Sequence, residues 1–336
     1  MKKNLIAVFS LIFTTAAMVA QNPAASQGEF KPSGKPIVTV FSDFSNTTTA
    51  GKSNNAFEVS RAYLGYGYNF SPDFSGKVVF DIANKAGLTP SDFTVFLKNA
   101  YAEYSHGIVK ANLGMVGTTM FGLQESVWGK RYLYKSFQDQ YGFGNSADLG
   151  ASVKLQFIPQ VSLDLAVFNG EGYKKVQGDS TMQFAAGLTL QPIKNLYVRA
   201  YYDYLNKQSY LTSRVAQTSF NVFVGYKSDK GTVAAEYNSQ NGNKNTAGHN
   251  WSGISVYGTL PFAKQFTAIA RFDDLMSKKA GASNTGWNTS TDGQVYLAGV
   301  EYAPVKGIQI TPNVRYSQLT TGNASTSINV NVGMSF

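Results

Sequence analysis

The stretch STSINVNVGMSF, Ser325 to Phe336, sets the question for the whole chain. Ile328, Val330, Val332, Met334 and Phe336 share one parity; Ser327, Asn329, Asn331 and Ser335 share the other. Alternation with period two marks a strand with one apolar and one polar face. The apolar face runs to an aromatic ring at the last residue, where soluble domains fray. The fold depends on what solvent that face meets.

Upstream segments repeat the pattern. In IQITPNVRYSQL, Ile308, Ile310, Val314 and Tyr316 oppose Gln309, Asn313 and Arg315. In FTAIARFDDLM, Phe266, Ala268, Ala270 and Phe272 oppose Arg271 and Asp273. In LYVRAYYDYL, Leu196, Val198, Ala200, Tyr202 and Tyr204 oppose Arg199 and Asp203. From Pro36 onward the unit recurs about sixteen times, within a range of roughly 14–18. Its connections sort by length. SPDFS, SHG, IPQ, QPIKN, SDKG, PFAKQ and APVKG are short, and they alternate with long polar stretches such as NTTTAGKSNN, EGYKKVQGDST and NGNKNTAGHN. Short turns at one end and long loops at the other predict an all-β transmembrane antiparallel up-and-down barrel, its short turns periplasmic. The backbone polar groups of such strands are satisfied in lipid only if the sheet closes.

A Lys or Arg on the lipid face near mid-bilayer costs about 2–4 kcal/mol, so the charges belong in the lumen. That places Arg61, Lys77, Asp81, Lys110, Lys154, Asp164, Arg199, Asp203, Glu236, Arg271, Asp273, Glu301 and Arg315 inside. Lys98 and Glu103 fall on opposite parities, which puts Lys98 at the rim. Tyr66, Tyr68, Tyr204, Tyr316 and Phe336 suit aromatic girdles at the two interfaces.

Residues 1–20 have Lys2 and Lys3, an apolar run from Leu5 to Phe13 and small residues after it, the order of a secretory signal peptide. Residues 21–35 read as a flexible periplasmic leader, and 36–336 as the barrel. Elsewhere no apolar run is long enough for a spanning helix. The sequence contains no cysteine, so no disulfide supports the fold. Without Lys2 and Lys3, the 27 remaining basic residues face 20 acidic ones, a net +7. In an exported chain this biases an aqueous channel towards anions and does not point to nucleic acid.

One interruption, FGLQESVWGKRYLYKSFQDQYGFGNSA at 121–147, is long enough to be functional. Its many aromatics would sit poorly in bulk water. It is expected to fold into the barrel mouth, with Trp128, Lys130, Arg131, Tyr132, Tyr134 and Lys135 forming a constriction. Catalytic chemistry finds no support. His106 and His249 fall in connections, no motif holds a metal or cofactor, and Asp273 and Asp274 point to opposite faces.

The segment FEVSRAYLGYGYNFSPDFSGKVVFDIAN, Phe57 to Asn84, resembles early strands of the phosphate-selective porin O/P family, and DLGASVKLQF after an aromatic-rich third loop fits its layout. The resemblance implies a Bacteroidetes-type outer-membrane porin. It implies a sixteen-stranded channel, commonly trimeric, for passive diffusion of small hydrophilic or anionic solutes. It also implies that barrel-assembly machinery recognises a terminal aromatic such as Phe336. Only six arginines are present, so the dense arginine ladder of the phosphate-selective members is missing. The other class of function left open is a non-conducting barrel acting as an adhesin or structural anchor.

Overall fold

Alternating apolar and polar residues produce two faces with different solvents, and a closed sheet is the structure that keeps both. The computed structural model describes residues 30–84, 93–178, 180–207, 214–279 and 286–336. The expected signal peptide and most of the leader lie outside them. The strands are β1 (Ser33–Thr49), β2 (Lys52–Asn69), β3 (Phe74–Asn84), β4 (Phe93–His106), β5 (Val109–Gly117), β6 (Ala147–Ile158), β7 (Val161–Phe168) and β8 (Gln183–Leu190). They continue as β9 (Leu196–Leu205), β10 (Gln217–Ser228), β11 (Gly231–Asn241), β12 (His249–Ala263), β13 (Phe266–Lys279), β14 (Gly293–Tyr302), β15 (Ile308–Leu319) and β16 (Ser325–Ser335). Each pairs antiparallel with its sequence neighbours, and β1 pairs with β16 from Thr39↔Ser335 to Thr49↔Ser325, closing the barrel. Phe336 adds the last rung: its N–H donates to the Val38 carbonyl at 3.1 Å, and its carbonyl accepts from the Val38 N–H at 3.3 Å.

The exterior is apolar. Leu64, Val78, Leu113, Val224, Val256, Val314 and Ile328 are all exposed there. Aromatic rows flank this band. Near the short turns Tyr68 meets Phe70 at 5.0 Å, Phe74 meets Tyr104 at 5.0 Å, and Phe266 meets Tyr302 at 5.0 Å. Towards the other end Phe272, Tyr296 and Tyr316 form a row with centroid spacings of 5.0 and 6.2 Å. This is the surface of a transmembrane barrel. Phe336 stands out from it, 81% exposed.

Among the described residues four bulges shift the register; those at Pro261/Ala263 and Gln156/Ile158 adjoin short turns, and the other two lie inside strands. Ser60 is the extra residue between the pairs Phe41↔Arg61 and Ser42↔Val59, so Phe57 and Val59 stay outside although they share parity with Arg61. Lys98 is the extra residue between Val79↔Asn99 and Phe80↔Leu97. The bulge turns it inward, where its Nζ donates to the Tyr63 hydroxyl at 3.2 Å. Lys98 therefore lies in the lumen and not at the rim. An unpaired residue re-aims a side chain in this way.

The first connection also differs from its expected form. NTTTAGKSNN is a tight hairpin, not a long loop. Ala50 and Gly51 have φ of 51° and 76°, the left-handed pair that a two-residue turn requires. The polar flanks continue the ladder, with Asn46 donating to Asn55 at 2.6 Å and Thr48 bonded to Ser53 at 2.8 Å.

Candidate functional site: the lumen and its inward loop

Between β5 and β6 the chain enters the barrel as two short helices, α1 (Gly122–Trp128) and α2 (Phe137–Tyr141). Gly129 and Gly142 end them in the left-handed conformation, each N–H bonding a carbonyl of the preceding turn. The aromatics of this segment form two apolar clusters with the inner wall. Phe121, Phe137 and Phe143 pack with Phe168, Tyr201 and Trp251. Trp128, Tyr132 and Leu133 pack with Phe223, Tyr257 and Leu297. The wall has floors for two of these rings. A Cβ on Gly253 would stand 2.3 Å from Phe137 Cζ, and one on Gly333 would stand 2.8 Å from Tyr132 Cγ.

The inward arginines anchor this loop. Arg271 donates to both oxygens of Asp273 at 2.8 Å and, through Nη1, to the Lys135 carbonyl at 2.7 Å. Arg315 donates to the Leu133 carbonyl at 2.7 Å, and Arg199 to the Thr119 carbonyl at 2.7 Å. The Tyr134 ring lies between Arg271 and Arg315, each 5.1 Å from its centroid. Carbonyls and π faces are good partners for a guanidinium held away from water. On α1, Gln124 donates to Asn221 at 2.7 Å, and the Trp128 indole N–H donates to the Tyr134 carbonyl at 2.7 Å.

The loop's own cations are mostly paired. Lys130 Nζ donates to Glu301 at 2.6 and 2.7 Å, and the Tyr132 hydroxyl bonds the same carboxylate at 2.5 Å. Arg131 donates to Glu125 at 2.7 Å, to Asp139, and to the Tyr63 hydroxyl at 3.3 Å. Burial would push the Asp139 carboxyl up, but the Arg131 guanidinium, helped by Lys135, outweighs it and holds it below the usual carboxylate range. Lys135 forms no ion pair among the described residues.

The remaining inward charges divide by sector. Arg61 clamps Asp81 with 2.9 Å contacts, Lys110 meets Glu103 at 2.9 Å, and Arg199 meets Asp164. Asp203 and Glu236 are buried, with Tyr201 donating to the first at 3.1 Å and Asn238 to the second at 3.2 Å. Lys77 and Lys154 are in no ion pair among the described residues. Lys77 lines an inward space of about 340 Å³ with Lys35, Tyr101 and Glu103. Lys154 lines another of about 300 Å³ against Gly122 and Leu123. A third, of about 510 Å³, lies between Glu125, Lys130, Arg131 and the wall residues Phe41, Gln309 and Ser335. The inward loop thus packs on the inner wall on several sides and leaves polar spaces beside it: against β1–β4 at Lys77, against β6–β9 at Lys154, and between α1 and the wall of β1, β15 and β16.

Tyr63 is a functional candidate that the alternation pattern does not single out. It receives Arg131 from the loop and Lys98 from β4, and its ring meets Phe41 edge-on at 6.0 Å. The signal was its parity with Arg61, two residues away on an inward face. His106 ends β4 and bonds Asp73 at 3.1 Å in a short turn; His249 opens β12 and stacks on Trp287 at 4.3 Å.

No family model and no curated relative matches the sequence. Solved structures do resemble it in fold. OmpF of Salmonella typhi, in complex with daunomycin, superposes with a TM-score of 0.69 at 12% identity, covering 90% of this chain and 97% of that one. The outer membrane channel DcaP of Acinetobacter baumannii gives 0.66 at 15% identity, covering 94% and 100%. An anion-selective porin from Comamonas acidovorans gives 0.64 at 9% identity, covering 91% and 100%. The fold is that of the porin-type sixteen-stranded barrels.

Proposed function

We propose that this chain is an outer-membrane porin of a Gram-negative bacterium, exported by a cleaved signal peptide, that forms a water-filled channel for passive diffusion of small hydrophilic solutes. The observation that carries the reading is the partly filled lumen: a loop packed on the inner wall, with polar spaces left beside it. The same reading takes the chain as a Bacteroidetes-type relative of the phosphate-selective porins, assembled by barrel-assembly machinery, in a homotrimer. It gives the channel a mild preference for anions. Lys77, Lys98, Lys135 and Lys154 supply that preference, because Lys130 and Arg131 are neutralised by Glu301, Glu125 and Asp139. A charge paired at hydrogen-bonding distance presents little net field to a passing ion.

Purified protein added to a planar bilayer is expected to give stepwise conductance, with a reversal potential in asymmetric KCl on the anion side. Silence of well-folded protein would favour the adhesin or anchor reading. Lys77→Glu with Lys98→Glu should lower the anion-to-cation permeability ratio by about twofold or more, since lumen charge sets ion preference. Lys77→Gln alone should move it in the same direction by less. An unchanged reversal potential in the double variant would remove these lysines from the mechanism.

A further inference from the structure

The connection between β7 and β8 also reaches over the lumen, from β6 towards β3. It leaves β7 by bonds to the start of β6. The Asn169 N–H donates to the Leu149 carbonyl at 3.0 Å, the Gly170 N–H to Asp148 Oδ2 at 2.8 Å, and the Tyr173 N–H to the Ala147 carbonyl at 3.0 Å. Gly172 has φ of 79°, and a Cβ there would lie 2.3 Å from Asn145 Cγ, so the turn sits directly on the exit of the α1–α2 loop. Fixed in this way, Tyr173 extends from β6 over β5 and β4. Its hydroxyl donates to Asp81 Oδ2 on β3, the carboxylate that Arg61 already holds. Its ring meets Phe96 of β4 edge-on at 6.3 Å. Two ammonium groups lie on this aromatic bridge. Lys98 Nζ is 5.6 Å from the Tyr173 centroid and 4.5 Å from that of Tyr63; Lys174 Nζ is 5.6 Å from Tyr173 and 5.2 Å from Phe96.

We propose that Tyr173 is a second constricting residue: hydrogen-bonded to Asp81, it spans the β3–β6 sector and forces solutes to pass between its ring and the α1–α2 loop. The inference rests on the channel reading above. Its physical basis is that a tyrosine donating to a carboxylate away from bulk water makes a strong, charge-assisted bond. The backbone of residues 169–173 is held on β6 at one end, and the bond to Asp81 holds the side chain at the other. The bridge holds Lys98 and Lys174 at the edge of the remaining opening, so the residue sets the size limit while its neighbours favour small anions. Widening the sector would admit larger solutes of the same charge.

The test uses the full mature chain in planar bilayers and in proteoliposomes, with fold monitored by heat-modifiable gel migration. Tyr173→Ala should raise single-channel conductance by about one and a half- to twofold, since the narrowest section sets it. It should raise the permeability of gluconate relative to chloride and speed the swelling of raffinose-loaded over arabinose-loaded liposomes. Tyr173→Phe, which loses only the hydroxyl, should give part of each change and add open-channel noise. The chain has no native cysteine. Tyr173→Cys should therefore conduct like Tyr173→Ala, and a bulky thiol-directed methanethiosulfonate reagent should bring its current below that of the wild type. Silence of the wild type would refute the channel itself. A conducting wild type with unchanged conductance and solute cut-off in Tyr173→Ala, or an unaffected current in labelled Tyr173→Cys, would overturn the second constriction alone.

Discussion

Arg271→Leu should turn a steady channel into a wider, noisier one without dissolving the barrel. Arg271 and Asp273 are both buried, two residues apart on the same inward face of β13. Removing one partner leaves an uncompensated buried charge, which costs about 3–5 kcal/mol. Ser255 and Tyr141 still donate to Asp273, at 2.6 and 3.1 Å, and they soften the loss but bring no positive charge. The loop carries the consequence. The Lys135 carbonyl loses its donor, and Trp128 and Tyr134 each lose a guanidinium 5.1 Å from the ring. The wall is held by its own ladder, with β13 paired along both edges, so folding survives while docking of α1–α2 weakens. A docking penalty of about 3 kcal/mol shifts the docked-to-undocked ratio by roughly two orders of magnitude. Single-channel conductance should rise about twofold, with flicker between levels, because the loop fills part of the conducting section. The variant Arg271→Leu/Asp273→Leu should return most of the quiet, since an apolar pair of similar volume often matches a buried ion pair. A quiet, wild-type trace from Arg271→Leu would mean that the aromatics and the remaining anchors, Arg199, Arg315 and the Lys130–Glu301 pair, hold the loop without it.

What the sequence made legible follows from which constraint acts locally. The lipid face tolerates no charge, so parity could be followed strand by strand, and β9 and β15 begin and end at the expected residues. Bulges hide from this reading because one extra residue leaves composition unchanged; Ser60 and Lys98 show only in the register. The hairpin at Ala50–Gly51 was masked for the opposite reason. The ladder there continues through Asn and Thr residues whose composition suggests a loop, and two left-handed residues supply the turn.

The lumen was legible by sign and less so by use. Arg199, Arg271 and Arg315 stand on inward parities, yet each spends a guanidinium N–H on a loop carbonyl far away in sequence, a partnership that no local pattern encodes. The aromatic surplus of residues 121–147 showed that the segment needs cover, and the cover is the inner wall. That Glu301 would neutralise Lys130 depended on two segments meeting across the barrel. Tyr173 had no signal at all: a single tyrosine in a polar loop gains its place because bonds to Ala147, Asp148 and Leu149 fix the turn before it.

Substitution at Phe336 should separate assembly from conduction. Its backbone makes two bonds with Val38 at the seam where β1 meets β16, and its ring stands 81% exposed beside the short turns. Closure at this seam is what removes the last free edge of the sheet. Under the proposed function the ring does a second job, as the feature that barrel-assembly machinery binds. Phe336→Ala isolates that job because it keeps both backbone bonds. The yield of heat-modifiable, membrane-inserted protein should fall about tenfold, the effect of losing roughly 1.4 kcal/mol of recognition. Deleting Phe336 removes the bonds as well, so its yield should fall further. Channels that do form from Phe336→Ala should keep wild-type conductance and reversal potential, since the ring faces away from the lumen. In vitro refolding of Phe336→Ala into lipid vesicles, where no machinery is present, should match the wild type. Equal yields in cells would assign Phe336 to the girdle alone, and a matching defect in vesicles would assign it to the stability of the seam.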